Sequence, residues 1–362
     1  MKIVITHPDF RDPGGVAQYY RKLKGKFTIP VGHCIIGKRP DENSNFLKIF
    51  RLIADYINFL ERLKENQCEL IHVNPSLDLK SILRDGIFLL FAKMMKRKTI
   101  VFIRGWSKEF EVKLERRWLF LFKLLYRKVN AFIVLSAEFK YKLEQWGFKQ
   151  PIYLEVTIAD DDALRRFDIH QTINDRLEDK KRRILFISRI VKSKGIYETI
   201  KAVSILCTKY SEIELIIAGI GDELENVKSF VGGLSLQSVF FAGYVKGEDK
   251  RNLLKSAYIL SFPSYYGEGM PNTIIESMAF GLPVVTRPVG GIADFFKDEE
   301  HGFATYSKDP EVIAGLMERL LIDQELYRRI SLYNYEFAQS NFLAAEAALR
   351  LEKIYNSVLM NT

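Results

Sequence analysis

Cysteine is scarce in this chain, and that scarcity excludes two kinds of protein. Of 362 residues only Cys34, Cys68 and Cys207 are cysteines, and they lie far apart without a CxxC spacing. An odd, scattered set does not fit the disulfide framework of a small secreted domain or a cysteine-based zinc site. The pattern is typical of a protein in a reducing cytoplasm, and we expect that location.

Long apolar runs are also missing. The longest nearly uncharged run covers residues 86–95, whereas a membrane-spanning helix needs about 20 apolar residues. The first ten residues, MKIVITHPDF, hold too short an apolar stretch for a secretory signal. We therefore expect no membrane span and no signal peptide, so that any membrane contact would be peripheral.

The remaining composition is that of a globular protein whose charge is unevenly distributed. The chain is 48% hydrophobic and 27% charged, and its length favours two domains. Residues 1–150 hold 29 Lys and Arg against 15 Asp and Glu, a balance of +14. Residues 151–362 hold 25 against 30, a balance of −5. A basic half joined to a mildly acidic half predicts different partners for each.

Short apolar runs alternate with helical patterns along most of the chain. The predicted strands are 2–6, 31–37, 70–74, 99–105, 131–136, 183–188, 213–219, 238–243, 258–263 and 282–287. In the first half the predicted helices lie near 46–66, 78–96, 110–128 and 137–146. Solid apolar strands that alternate with helices indicate parallel sheets covered on both faces. Ligands of such sheets bind outside the carboxyl ends of the strands.

The sequence therefore predicts an α/β protein with two Rossmann-like domains that face each other across a cleft. Residues 1–157 are predicted to form the first domain, and residues 183–341 the second. The polar residues 158–182 are interpreted as a linker or hinge. Residues 342–362 carry a helical apolar stripe, and we expect this helix to cross back to the N-terminal domain.

The stretch 261–294, SFPSYYGEGMPNTIIESMAFGLPVVTRPVGGIAD, carries the most chemistry. A strand leads into a Gly-rich turn, and Pro271 is predicted in the first turn of a short helix. The free N–H groups and the dipole of that helix start suit a phosphate. Glu268 and Glu276 are better suited to accept hydrogen bonds from hydroxyl groups, as on a sugar or ribose. The alternative is an ordinary strand, loop and helix with solvated glutamates.

Two further motifs follow predicted strands. In SRIVKSKG, Arg189 follows a strand and Lys194 precedes a helix, and two cations at such a crossing suit a diphosphate. Ordinary surface charge before a helix is the alternative. The motif FAGYV, residues 241–245, follows another strand, where exposed backbone could contact a nucleobase.

Taken in order, these motifs resemble the retaining glycosyltransferases of the GT-B fold, family 4, the glycosyl transferases group 1. The resemblance covers nearly the whole chain and is strongest over residues 184–302. It rests on Arg189 with Lys194-Gly195, Ala218-Gly219 with Gly221, FAGYV, the pair Glu268 and Glu276, AFGLPVV from Ala279, and Gly290-Gly291. The glutamate pair with the small-residue helix that follows is the specific signal.

The resemblance implies an enzyme of the hexosyltransferase type that moves a sugar from a nucleotide-diphosphate sugar to a glycan or lipid-linked acceptor. It also implies that residues 1–157 form the acceptor-binding domain and residues 183–341 the donor-binding domain. Bacterial cell-surface polysaccharide synthesis, of lipopolysaccharide or exopolysaccharide, is the implied pathway. The implied catalytic residues are Arg189, Lys194 and Glu268. The implied donor-binding residues are Gly14, Gly15, Arg104, Gly243, Tyr244, Val245, Gly269, Met270, Pro271, Asn272, Thr273 and Glu276.

Metal and cofactor are not expected beyond the donor itself. No DxD motif stands at a strand end, because the aspartates at 160–162 fall in the predicted linker. The chain departs from the family at Arg104-Gly105, where a His-Gly is common. Arginine cannot act as a general base. His7 and His72, also at predicted strand ends, could assist an acceptor hydroxyl, although satisfied or exposed histidines are the alternative.

The basic half contains two stretches that mix cations with apolar side chains, residues 86–98 and 113–128. Either their apolar sides pack on the sheet, or they form an interfacial face on anionic lipid at the inner face of the cell membrane. No DNA- or RNA-binding motif is visible, so nucleic acid is not expected.

Two other functions stay open at this level. One is a nucleotide-sugar epimerase or hydrolase, and the other is a non-catalytic sugar-nucleotide binding protein. The sequence does not decide between UDP, GDP and ADP, nor does it identify the sugar, the acceptor, the linkage or the oligomeric state.

Overall fold

The structure is a computed structural model that describes residues 3–12, 14–37, 39, 45–65, 68–266 and 269–360. The chain divides into two compact units. The first unit comprises Met1–Thr157 with Ala344–Thr362, and the second comprises Ile158–Leu343.

The first unit is built on a parallel sheet. Its strands are β1 (Ile3–His7), β2 (Val31–Ile35), β3 (Leu70–Val73), β4 (Ser76–Leu77), β5 (Lys98–Phe102), β6 (Gly105–Trp106), β7 (Ala131–Val134) and β8 (Ile152–Leu154). The six-stranded sheet has the order β2–β1–β3–β5–β7–β8, and β4 pairs with β6 separately. The helices between them are α1 (Gly15–Leu23), α2 (Asn45–Glu65), α3 (Leu79–Met94), α4 (Lys108–Lys113), the π-helical turn Leu114–Trp118, α5 (Leu119–Tyr126) and α6 (Ala137–Gln145).

The second unit repeats this plan. Its strands are β9 (Arg182–Ile187), β10 (Ile213–Ala218), β11 (Val239–Gly243), β12 (Ile259–Phe262), β13 (Val284–Thr286) and β14 (Gly302–Ala304). All pair in parallel, in the order β11–β10–β9–β12–β13–β14. The helices are α7 (Ile169–Glu178), α8 (Ile196–Cys207), α9 (Leu224–Gly233), α10 (Gly247–Ser256), α11 (Asn272–Ala279), α12 (Pro310–Ile322) and α13 (Gln324–Asn341).

The central strands read as solid apolar runs because helices cover both faces of each sheet. Every residue of β1, β3 and β12 is buried. All ten predicted strands are present, and the α/β fold with two parallel-sheet domains is confirmed. That the two units face each other across a cleft stays a prediction.

Residues 158–182 differ from the linker that the sequence predicts. They include α7, whose Ile169 and Ile173 are buried in the core of the second unit. The buried Arg176 donates from Nη2 to the carbonyl oxygens of Leu254 and Phe280, both at 2.9 Å. The polar composition misleads here because the charges lie mostly on the outer side of a short amphipathic helix and the one buried cation is satisfied by carbonyl groups.

The C-terminal helix, α14 (Ala344–Met360), groups with the first unit. The Glu352 carboxylate accepts from the Thr28 hydroxyl at 2.7 Å. The Arg350 guanidinium donates to the buried carboxylate of Glu155 at 2.6 Å. These polar contacts fix α14 on the first unit. Within the described part of the chain, no helix combines the length and apolar character that crossing a membrane requires.

Candidate functional site

The strand order of the second unit reverses direction between β9 and β12. The chain runs from β9 outward to β10 and β11, and then returns to build β12, β13 and β14 on the other side. The loops that leave the carboxyl ends of β9 and β12 therefore diverge, and such a switch point is where parallel sheets bind ligands. The motifs at Arg189, Lys194 and Gly269–Glu276 all follow these two strands.

The loops after β9 and β12 are fixed against each other by backbone contacts. The N–H groups of Tyr265 and Tyr266 donate to the carbonyl oxygen of Ser193, at 2.9 and 3.1 Å. Gly195 has φ +79°, and a Cβ at this position would lie 2.5 Å from the Pro263 carbonyl oxygen. Only glycine allows this approach, which holds the Lys194 turn beside the end of β12.

Both predicted cations lie near one aromatic ring. The Lys194 ammonium lies 4.7 Å from the centroid of the Tyr266 ring, and the Arg189 guanidinium carbon lies 6.0 Å from it. Lys194 is buried, whereas Arg189 is exposed. The structure therefore brings together two cations that the sequence separates by five residues. The low dielectric around Lys194 strengthens its attraction for an anion.

The start of α11 offers donors beside these cations. Pro271 is the N-cap residue, with no side-chain cap, and no acidic residue occupies the first turn. The Thr273 hydroxyl donates to the carbonyl oxygen of Ile187 at 3.0 Å, which ties this turn to the end of β9. The sequence predicts Pro271 one position further into the helix, but its φ of −75° suits the helix start equally. The uncapped N-terminus is suited to hold a phosphate.

Glu276 forms an ion pair that the sequence analysis did not foresee. Its carboxylate accepts from the ammonium of Lys250 on α10, and the two side chains are 12% and 27% exposed. A ligand hydroxyl would share this carboxylate with Lys250. The other predicted carboxylate, Glu268, lies outside the described residues, as does Gly267.

At the carboxyl ends of β10 and β11, the contacts are made by backbone groups rather than by side chains. The Gly219 N–H donates to the carbonyl oxygen of Gly243 at 2.7 Å. A Cβ on Gly219, which has φ +146°, would lie 1.8 Å from the Ser188 carbonyl oxygen. Tyr244 is 59% exposed and Val245 half-buried in the loop that follows. The residues predicted to contact a base therefore present backbone groups and the exposed ring of Tyr244.

Arg287 is a site residue that the sequence analysis missed. It follows β13, is only 9% exposed, and its Nε and Nη1 atoms have no hydrogen-bond partner among the described residues. Burial and the Glu198 carboxylate raise the pKa of the Tyr265 hydroxyl, and the positive charge of Arg287 opposes that shift. The sequence signal that could have found it is an arginine at the end of an apolar predicted strand, because burying a charge without a partner costs free energy.

Three predicted donor-binding residues belong to the first unit. Gly14 is the N-cap of α1, and its N–H donates to Asp12 at 2.6 Å. Gly15 is exposed and begins α1. The Arg104 guanidinium carbon lies 3.8 Å from the centroid of the Tyr19 ring, and its Nε and Nη1 have no hydrogen-bond partner in the described part of the chain. Arg104 thus keeps donor capacity in a buried aromatic setting.

The histidines at the strand ends are core residues. His72 is fully buried between the hydroxyls of Tyr355 and Tyr20, at 2.7 and 3.3 Å. Burial lowers its pKa to about 3. His7 is also buried, its Nε2 lies 3.0 Å from Nδ1 of His33, and burial lowers its pKa to about 4. The structure favours the alternative of satisfied histidines over assistance to an acceptor hydroxyl.

The second unit matches a known family. Residues 169–337 match the family described as "Glycosyl transferases group 1". An uncharacterized glycosyltransferase of Methanocaldococcus jannaschii is 34% identical over 148 residues, which are 41% of this chain and 37% of that protein. The capsular polysaccharide biosynthesis glycosyltransferase CapM of Staphylococcus aureus is 29% identical over 204 residues, 54% of this chain and 53% of CapM. The chain spans less than two thirds of the length of both relatives.

The similarity of fold extends further than the similarity of sequence. The Anabaena protein HepE, solved in complex with UDP and glucose, has a TM-score of 0.71 to this structure. The comparison covers 99% of this chain and all of the HepE chain at 17% identity. At that identity the likeness concerns the fold. The family match, by contrast, includes Arg189, Lys194 and Glu276.

Proposed function

We propose that this protein is a retaining, metal-independent glycosyltransferase of family 4. It would move a sugar from a nucleotide-diphosphate sugar to a glycan or lipid-linked acceptor. The observation that carries the proposal is the grouping of Arg189 and Lys194 around Tyr266, at the switch point of the second sheet and beside the uncapped start of α11. The family match over residues 169–337 supports the reaction class.

The chemistry follows from where charge develops. When the bond from the sugar to the diphosphate breaks, positive charge builds on the sugar ring and negative charge on the leaving diphosphate. Lys194 and Arg189 would stabilise the departing diphosphate, together with the N–H groups at the start of α11. Prearranged donors of this kind contribute on the order of 10²–10³ in rate each. Retention rests on the family resemblance, and the expected absence of a metal rests on the lack of a DxD motif at a strand end.

The acidic residue on α11 has a different task. The Glu276 carboxylate would accept hydrogen bonds from the ribose hydroxyls, with Lys250 fixing its position through their ion pair. Glu268 would hold hydroxyls of the donor sugar. Tyr244 and its neighbours would lie near the base, and Gly14, Gly15 and Arg104 would contribute from the first unit.

The donor and the pathway are drawn from similar proteins. HepE was solved with UDP and glucose, which supports a uridine donor as the first to test. CapM is named for capsular polysaccharide biosynthesis, which supports a role in bacterial surface polysaccharide. We also propose a cytoplasmic location with peripheral contact to an anionic membrane, supported by the charge of +14 on residues 1–150.

The test compares two lysines of the same short turn. Lys194→Ala should lower sugar transfer by roughly 10²–10³, because it removes the buried ammonium. Lys192→Ala, its exposed neighbour, should retain transfer. Purified protein is first screened with uridine, guanosine and adenosine diphosphates by thermal shift, and turnover is then measured as nucleotide release with a panel of acceptors.

The same assay tests the role of Lys194 and distinguishes the alternative functions. Equal loss or equal retention in both variants would remove Lys194 from the site. Release of free or epimerised sugar without acceptor would instead identify a hydrolase or epimerase. Nucleotide binding without turnover on any acceptor would identify a sugar-nucleotide binding protein.

A further inference from the structure

Helices α3 and α5 leave an apolar surface open while they cover the sheet. Each buries one side, with Phe88 on α3 and Phe122 on α5 at no more than 1% exposure. On the outer side Met94 and Phe120 are 78% and 80% exposed, and Leu124 is 50% exposed. The packing on the sheet that one alternative predicts is therefore present, and the same helices also carry apolar side chains on their outer side. We call the outer surface, formed by Leu90, Met94, Phe120 and Leu124, the α3–α5 face.

A basic groove lies within this face. A cavity of about 500 Å³ is lined by Lys93, Lys96, Arg97, Arg127 and Lys128, together with Leu90 and Leu124. A neighbouring cavity of about 630 Å³ shares Leu124 and Arg127 with it and extends to Phe120 and Lys149. None of the described residues that line the two cavities carries a carboxylate. Apolar side chains therefore border a concentrated positive charge.

Two cations in the groove are held close to each other. The Lys128 ammonium, by direct contact and by its charge, lowers the pKa of Lys93. None of the ion pairs formed among the described residues involves either lysine. Like charges in proximity favour the binding of an anion between them. Arg97 and Arg127, which also line the groove, would add to that attraction.

Exposed apolar side chains beside concentrated positive charge restrict the kind of partner that can bind the α3–α5 face. A second copy of this chain that docked through the same face would bring its own cations against these cations. A nucleic acid would neutralise the groove but would leave Met94 and Phe120 exposed to water. An anionic bilayer satisfies both, because phosphates lie at the level of the cations and acyl chains lie just beyond them.

We propose that the α3–α5 face seats the protein on a bilayer of anionic phospholipid, with headgroup phosphates in the groove of Lys93, Arg97 and Lys128 and with Met94 and Phe120 among the acyl chains. The proposal deepens the membrane contact of the proposed function by naming the surface and the lipid group. It does not depend on the transfer reaction itself.

The first experiment tests the charge. The full chain is sedimented with vesicles of phosphatidylcholine alone and of phosphatidylcholine with phosphatidylglycerol, at low and high salt. Lys93→Glu with Lys128→Glu should weaken binding to the anionic vesicles at low salt by at least about 25-fold, since each basic residue near such a surface contributes roughly fivefold. Lys180→Glu with Lys255→Glu changes the net charge equally at exposed positions of the second unit and should bind like the original protein.

The second experiment tests the apolar contact. Met94→Ser with Phe120→Ser should lower binding about tenfold or more even at high salt, where charge is screened. Ile322→Ser, at a 65% exposed position of the second unit, is the matched control. Free inorganic phosphate should compete with vesicles only weakly if the bilayer is the ligand, and fully if a soluble phosphate is.

Three results would overturn the proposal. They are equal binding by the face variants and their controls, full competition by free phosphate, and a dimer that Phe120→Ser converts to a monomer. Nucleotide binding by the second unit, measured in parallel, should be unchanged in all variants. Loss of that binding with normal vesicle binding would count against the proposed function and leave the membrane proposal intact.

Discussion

The two sheets close their carboxyl ends in different ways. In the first unit, side chains fill the edge, where His72 lies between Tyr20 and Tyr355, and the Glu155–Arg350 ion pair holds α14. In the second unit, backbone meets backbone, and Gly219 reaches the carbonyl oxygen of Gly243. Side chains therefore cover the carboxyl ends of the first sheet, whereas backbone groups and cations line those of the second sheet.

We therefore expect the second unit, rather than the first, to bind the charged donor of the proposed function. In the first unit His72 is hydrogen-bonded to the hydroxyls of Tyr20 and Tyr355, whereas two guanidinium nitrogens of Arg104 have no hydrogen-bond partner among the described residues. Close backbone approach in the second unit depends on glycine, and it places Lys194 and Arg189 near Tyr266 at the loops that follow β9 and β12. All three tryptophans, Trp106, Trp118 and Trp146, lie in the first unit, so fluorescence follows that unit separately.

The largest effect is expected when the close backbone approach of Gly219 to Ser188 in the second unit is disrupted. Gly219→Ala would place a Cβ 1.8 Å from the Ser188 carbonyl oxygen at φ +146°, and we expect a loss of at least about 4 kcal/mol in the free energy of unfolding. Urea unfolding followed by circular dichroism measures this loss. The control, Gly232→Ala, meets nothing within 4 Å and should gain about 0.5–1 kcal/mol. Equal stability of the two variants would contradict the close approach.

The next largest effect is expected when the ion pair between Arg350 and Glu155, which holds α14 on the first unit, is removed. Arg350→Met would leave the Glu155 carboxylate, 1% exposed, without its guanidinium partner. A cost of about 2–3 kcal/mol is expected, below the full value for a buried pair because Arg350 is one-third exposed. Tryptophan fluorescence during urea unfolding measures it. Glu138→Gln, which breaks an exposed pair with Lys108, should change stability by less than about 1 kcal/mol; a larger change there would argue against burial as the cause.

A pH series sharpens the comparison further. Burial lowers the pKa of His72 to about 3 in the folded protein, from an ordinary value of 6.5. Between these values the unfolded chain binds a proton that the folded protein does not, so stability is complete above pH 6.5 and falls as the pH drops. The contribution is about 1.4 kcal/mol per pH unit.

The measurement is the slope of unfolding free energy against pH from 6 to 4.5. His72→Gln should reduce that slope by about 1.4 kcal/mol per pH unit. His170→Gln, at an exposed position of the second unit, is the control. An unaltered slope in the His72 variant would show that this ring is charged inside the fold.

The smallest effect concerns Lys250. Lys250→Met removes the partner of Glu276, which should cost less than about 1 kcal/mol in stability because the pair is partly exposed. If Lys250 fixes the carboxylate for ribose, nucleotide affinity should fall severalfold by calorimetry. Lys255→Met, on the same helix, is the control. Tighter nucleotide binding in the Lys250 variant would mean that the pair competes with the ligand.

The sequence predicted the strands well and the short edge elements poorly. The buried central strands were evident because solid apolar runs mark them. The edge strands β8 and β14 were missed, since Ile152–Leu154 and Gly302–Ala304 are too short to form a recognisable run. The helix Ile169–Glu178 was taken for a linker because its few apolar positions are diluted by charge.

The candidate site was predicted in the same uneven way. Arg189 and Lys194 were identified because they stand between a predicted strand and a helix, and Glu276 was identified because it pairs with Glu268 in a specific motif. Tyr266 and Lys250 were missed, since each acquires its role from a neighbour that is distant in sequence. Arg287 was missed although it stands at the end of an apolar predicted strand. Lys250 lies 26 residues from the carboxylate that it contacts.

The sequence by itself determined the alternation of strands and helices and the chemical groups that stand at the strand ends, because apolar periodicity and turn residues act over a few neighbours. Only the tertiary structure decided which of those ends meet. Strand order brings the loop after β9 beside the loop after β12, and so sets Lys194 against Tyr266. Local patterns carry no record of that order, since parallel strands pair through crossovers much longer than any motif.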